Sequence, residues 1–239
     1  MRDSARQKAA DHFRDQIQRS NRLHAEYLAD ARQRDNYERF ANWQLEHLLP
    51  FFADLYAQRG YEEAIDFTMN DLAGVGISER DRDLERAAPA ITRLLPLGAL
   101  QTLASAAEMN TRVLKSNIAI YRAMLVRDEL PDELTEVSYC IACREASSLD
   151  ELIELVHLTT DLGRTLKSLV HIPVIGMTLR ATRAAAHAAG FGALQEFLER
   201  GYSTFRQIPD IDLFLSEIET RMIEVFTQIH TAPLDELRK

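Results

Sequence analysis

The sequence predicts an all-α fold, a single bundle of about nine or ten helices with a long central helix near 97–127. Three observations carry this. Apolar residues recur every three or four positions through most of the 239 residues, the spacing of one helix face. Only 9 Gly and 7 Pro are present, too few for the many tight turns of an all-β chain. Ala, Leu, Glu, Arg and Gln dominate, and these lose little rotamer freedom in a helix. A chain of this length hides roughly 70–75% of its unfolded surface, so it needs no disulfide or metal to hold a core.

Taken in order, residues 4–30 read as a polar helix. Its apolar stripe of Phe13, Ile17, Tyr27 and Leu28 is interrupted by Ser20, Asn21 and His24. A stripe that thin does not suit a buried helix. Residues 1–32 are therefore expected to form an outer helix or an oligomerisation arm, and 33–239 the bundle domain. Residues 36–58 carry a strong helical period from Tyr37 through Phe40, Trp43, Leu48 and Phe52 to Leu55. Pro50 removes a backbone donor there and clashes one turn back, so a kink or a break is expected near Leu49. A helix over 61–73 follows and ends at Gly74-Val75-Gly76. Ser78 reads as an N-cap, with Asp81 three residues on, for a helix that contains Pro89.

The stripe Leu100, Ala104, Ala107, Thr111, Leu114, Ile118, Tyr121 and Leu125 makes 97–127 the central post, roughly 45 Å long. Leu130-Pro131-Asp132 breaks the chain and starts a helix over 132–146. Ser148 and Glu151 form a capping box that opens helix 148–170. Pro173 separates it from 174–189, where Ala181, Ala184, Ala185, Ala186, Ala188 and Ala189 allow close helix packing. Gly190 and Gly192 bracket the start of helix 193–207, and Pro209-Asp210 opens the last helix. The acidic 128–133 break is the best candidate boundary, yet one continuous helical domain is expected.

The N-terminus is charged and lacks a secretory signal. No apolar run approaches the roughly 18 residues of a membrane span. Two cysteines without an export signal point to free thiols in a reducing cytoplasm. A net charge of −9 argues against general nucleic-acid binding. The charge is segregated: 128–154 holds nine acids against one base, and 161–187 holds four bases against one acid. The two segments either attract within the fold or mark separate surfaces.

Chemistry-bearing motifs are sparse. Cys140 and Cys143 form C-x-x-C, but mid-helix and without a second pair for zinc, so buried inert thiols are expected. Glu154 and His157 form one Glu-x-x-His where a di-iron bundle needs two. Neither a metal nor a cofactor is expected. No phosphate loop, dinucleotide fingerprint or nucleophile elbow occurs. Candidate ligand or partner residues are Arg80, Arg82 and Arg86, where Arg82 and Arg86 lie one turn apart and could clamp an acid. Asn110 and Asn117 beside the central stripe, with Tyr121 on it and Tyr56, could line a polar pocket. Arg180 and Arg183 lie on a basic, Ala-rich hairpin.

Phe51, Asp54, Leu55 and Tyr56, preceded by Pro50, and downstream Arg82, Asp83, Arg86 and Pro89 make one distinctive stretch. A second runs from Leu179-Arg180 through Ala188-Ala189-Gly190-Phe191-Gly192-Ala193-Leu194-Gln195 to Phe205. Together they resemble the bacterial FFLEELY-motif protein family: the first its Phe-x-x-Glu-Leu-Tyr, with Pro50 in place of the first Phe, and its downstream Arg-Asp-x-x-x-Arg-x-x-Pro, with Arg86 shifted by one. The resemblance implies an all-helical, cytoplasmic bacterial protein and carries no activity. Together these features point to a non-enzymatic interaction protein, self-associating or with a protein partner. The alternative is a helical-bundle enzyme or small-ligand receptor with a polar pocket between helices.

Overall fold

In a computed structural model, which describes residues 2–27, 30–72, 77–126 and 134–233, every described regular element is helical. The elements are α1 (Arg2–Tyr27), α2 (Ala31–Leu48), a 3-10 turn (Leu49–Phe52), α3 (Ala53–Tyr56), α4 (Glu62–Asp66), a π turn (Phe67–Leu72), α5 (Ile77–Leu94), α6 (Leu97–Val126), α7 (Glu136–Ala146), α8 (Leu149–Val170), α9 (Pro173–Ala188), α10 (Gly192–Gln207) and α11 (Ile211–Thr231). The all-α bundle is as the sequence predicts. No described helix is long and apolar enough to cross a membrane.

The 30-residue α6 is the post, packed against α1, α7 and α8. Its inner face buries Leu100, Ala104, Leu114, Ile118 and Tyr121. The break at Pro50 falls where expected: α2 stops at Leu48 and the proline enters the first turn of the 3-10 element. That break sends one apolar run into two cores. Tyr37 and Phe40 join Tyr121, Tyr139, Leu152 and Val225. Phe52 and Leu55 join Tyr61, Ile65, Phe205, Phe214 and Leu215. Each such buried large side chain contributes about 1.5–3 kcal/mol.

Four local expectations change. First, α1 is packed despite its thin stripe: Phe13 is fully buried, with Ala9, Ala10, Gln16, Ile17 and Ser20 beside it. Small side chains let the backbone approach α6, where Thr111 Oγ1 donates to the Gln16 backbone carbonyl at 3.0 Å, and the Ser20 hydroxyl finds a buried partner in Asp81 at 2.6 Å. Second, α5 begins at Ile77, which places Ser78 inside the first turn rather than at the cap. Third, the helix expected over 61–73 is α4 followed by a π turn. Phe67 is drawn inward, stacking on Phe197 at 5.5 Å and resting on Gly201, where a Cβ would come within 2.9 Å of its ring.

Fourth, the Ala-rich face of α9 is not packed. Ala181, Ala184, Ala185, Ala188 and Ala189 are exposed. The contact to α10 is made instead through Gly176, where a Cβ would come within 2.7 Å of the Tyr202 side chain. Gln195 Nε2 adds a hydrogen bond to the Leu179 carbonyl at 2.6 Å.

The capping box of Ser148 and Glu151 is present. α7 starts from a cap the sequence reading missed, Thr135 paired with Ser138. The Gly74-Val75-Gly76 stop and the 128–133 boundary lie outside the described residues.

Candidate functional site

The structure brings two of the sequence candidates, Arg80 and Asn110, into one buried polar cluster between α1, α5 and α6. The Asp81 carboxylate is its hub. It accepts from Ser20 Oγ at 2.6 Å, Asn110 Nδ2 at 3.1 Å, and Arg80 Nε and Nη2 at 3.2 and 3.1 Å. Arg80 Nη2 also donates to Asn110 Oδ1 at 3.0 Å, and Nη1 to the Asp71 carbonyl at 2.9 Å. Asp71 lies in the last turn of the π element Phe67–Leu72. The guanidinium sits 4.7 Å from the Phe197 ring centroid. Asp71 in turn accepts from Arg200 Nη1 of α10 at 3.1 Å.

Only 3% of the Asp81 side chain and 11% of the Arg80 side chain are exposed. Burial by itself raises the Asp81 carboxyl. The His24 ring, the Arg80 guanidinium and the Ser20 hydroxyl outweigh it and hold the group below its ordinary value. His24 Nε2 stands 3.7 Å from Asp81 Oδ2, beyond hydrogen-bond reach, and among the described residues neither buried ring nitrogen has a partner. The arrangement lacks the order a nucleophile needs. Ser20 donates to the carboxylate rather than to the imidazole, and Ser20 and Asp81 are each 2% exposed, leaving no access for substrate. The cluster is a buried ionic lock joining α1, α5, α6 and α10.

The other α5 arginines do different things. Arg86 Nη2 donates to Asp83 at 2.6 Å and to the Gly190 carbonyl at 2.9 Å, and the group lies 5.2 Å from the Phe191 ring centroid. It thus moors the α9–α10 turn, where Gly190 takes a φ of 77°. Arg82 is exposed. The two arginines do not clamp one acid: Arg86 is turned to Asp83 and the backbone of the α9–α10 turn.

The polar pocket expected from Asn110, Asn117, Tyr121 and Tyr56 is not assembled. Asn110 belongs to the Asp81 cluster. Asn117 Oδ1 accepts from Gln44 at 3.5 Å, Tyr121 donates to the Gln33 carbonyl at 3.2 Å, and Tyr56 donates to Asp66 at 3.2 Å. A cleft of about 180 Å³ opens elsewhere, between α2, α7 and α11, lined by Trp43, His47, Phe51, Tyr139, Cys140 and Val225 among others. Trp43 and His47 stack at 3.7 Å. None of the four sequence candidates lines it.

Cys140 and Cys143 are buried, and burial pushes both thiols up, Cys143 to about 12. Glu154 pairs with Arg112 at 2.9 Å, whereas His157 faces Glu219 at 3.0 Å, so the Glu-x-x-His residues do not converge.

Among the described residues, the basic segment finds its acids on α10, α11 and within α8, not in 134–154. Arg164 pairs with Asp161 and Glu219, Lys167 with Asp212, and Arg183 with Glu199. Arg180 is exposed and, among the described residues, has no acid partner. The sequence reading missed Ser20, His24 and Asp81 as one group. The signal was present: Phe13, Ile17, Ser20 and His24 continue a single helix face, so a polar residue there needs a buried partner.

Comparison with known proteins gives one family model, described as a Domain of unknown function (DUF8198), which matches residues 23–235. No curated protein and no solved structure matches the chain.

Proposed function

We propose that this chain, which belongs to the DUF8198 family over most of its length, is a non-enzymatic interaction protein and that α9 is its docking face. One observation carries the reading. Of the 16 residues of α9 only Gly176 is buried, and Val174 and Met177 are each 57% exposed. A helix that shows apolar side chains to solvent along its length is the kind of surface a partner covers. The reading includes self-association, and it takes the FFLEELY resemblance and a bacterial cytoplasmic setting as its context.

A photo-crosslinking residue placed at Met177, in cells that express the protein natively, tests this. A discrete adduct at position 177, absent when the probe stands at exposed Glu63 of α4, is the expected outcome. Equal labelling at both positions would refute the docking face.

The small-ligand receptor reading rests on the Trp43 cleft. At about 180 Å³ it falls below the roughly 300–1,000 Å³ of ordinary ligand sites.

A further inference from the structure

Resting on that reading, we infer that α9 receives an amphipathic helix of a different protein, one whose apolar seam is flanked by carboxylates. The first observation is register. Val174, Met177, Ala181, Ala184 and Ala188 follow one another at steps of three, four, three and four residues, the seam spacing of paired helices, and all five are exposed. The opposite face, with Ile175, Gly176, Leu179 and Ala186, is the less exposed one and meets α10 through Gly176 and Leu179. The seam is therefore uncovered by the fold's own design: α10 occupies the other side.

The second observation is charge. Arg180 flanks the seam, exposed. It is the only Arg or Lys of 161–187 without an ion pair among the described residues, since Arg164, Lys167 and Arg183 are all neutralised. His187, one seam repeat on, lies on the same flank and faces Glu196 at 3.7 Å. The identity of the occupant follows. A second copy of α9 has no Asp or Glu anywhere in its 16 residues, so it supplies no counter-charge to Arg180. Paired antiparallel, it sets like flank against like flank. A helix of another protein, small or aliphatic on its seam and Glu or Asp on its flank, matches both the shape and the charge.

Two synthetic helical peptides test this. They share one Leu/Ala seam and differ only in Glu or Lys at the flanking positions. Each is titrated into the purified full chain and followed by fluorescence anisotropy. The Glu-flanked peptide is expected to bind about tenfold more tightly than the Lys-flanked one, weakening with added salt. Arg180→Glu inverts the order, and Met177→Asp removes binding of both. Equal binding of the two peptides, no binding of either, or a Glu preference that survives Arg180→Glu overturns the inference. A crosslink from position 177 that joins only two copies of this chain also overturns it, while leaving the docking face of the preceding section intact.

Discussion

Removing the Asp81 carboxylate should unfold a large part of this protein's stability margin. Asp81→Ala leaves the Arg80 guanidinium, 11% exposed, without the carboxylate it is bonded to, and takes away the acceptor of the Ser20 hydroxyl. Breaking a buried ion pair from one side costs about 3–5 kcal/mol, against a total of about 5–15 kcal/mol for a domain. In a protein of this size that lowers the melting temperature by roughly 6–20 °C. Urea unfolding followed by far-ultraviolet circular dichroism measures the loss directly. The double variant Arg80→Met with Asp81→Leu is the control. It removes both charges, and Asn110 Nδ2 already reaches Ser20 Oγ at 3.3 Å, so those two groups can satisfy each other. Its loss should stay within about 2 kcal/mol, smaller than that of Asp81→Ala alone. A loss below about 1 kcal/mol for Asp81→Ala, or a double variant worse than the single, would refute the account of the cluster as an ionic lock.

Three further outcomes follow from the same geometry. Asp81 is held below its ordinary value, and the Arg221 guanidinium holds Asp54 at about 2. Such carboxylates stabilise the fold above their unfolded pKa and lose that contribution as pH falls through the folded one. The urea midpoint should therefore drop below about pH 4, and drop less steeply in Asp81→Asn; a midpoint flat from pH 7 to 3 would contradict this. Cys143, raised from 9.0 to about 12, holds on the order of a thousandfold less thiolate at neutral pH than an ordinary thiol, so native protein should resist alkylation that denatured protein undergoes at both sites; rapid native labelling would show the thiols are open. His24→Leu should cost about 1–2 kcal/mol, because the ring helps offset the burial of the Asp81 carboxylate even though, among the described residues, neither of its nitrogens is hydrogen-bonded; an unchanged urea midpoint would show that the ring does nothing for that charge.

The family resemblance and the charge pattern gain a spatial meaning only in the folded chain. Arg86 of the first resembling stretch donates to Gly190 and lies over Phe191 of the second, 104 positions away. Arg183, read as one member of a basic surface, is spent on Glu199 of α10, whereas its neighbour Arg180 is left open. Nothing in the order of residues separates those two arginines, which lie one helical turn apart.

The sequence by itself determined that the chain is helical and placed its interruptions at Pro50 and Pro173 and the start of α8. Proline at 50 and 173, the Ser148 and Glu151 box and the long stripe of α6 act within a few residues of where they stand, so their consequences are readable locally. What covers each stripe was decided by tertiary structure. The thin stripe of α1 is buried because α6 offers small residues and polar partners to it, and the alanines of α9 are exposed because Gly176 and Tyr202 turn them away from α10. Periodicity tells which side chains share a face. Only packing fixes what that face meets, because the contact free energy belongs to pairs of surfaces brought together from distant parts of the chain.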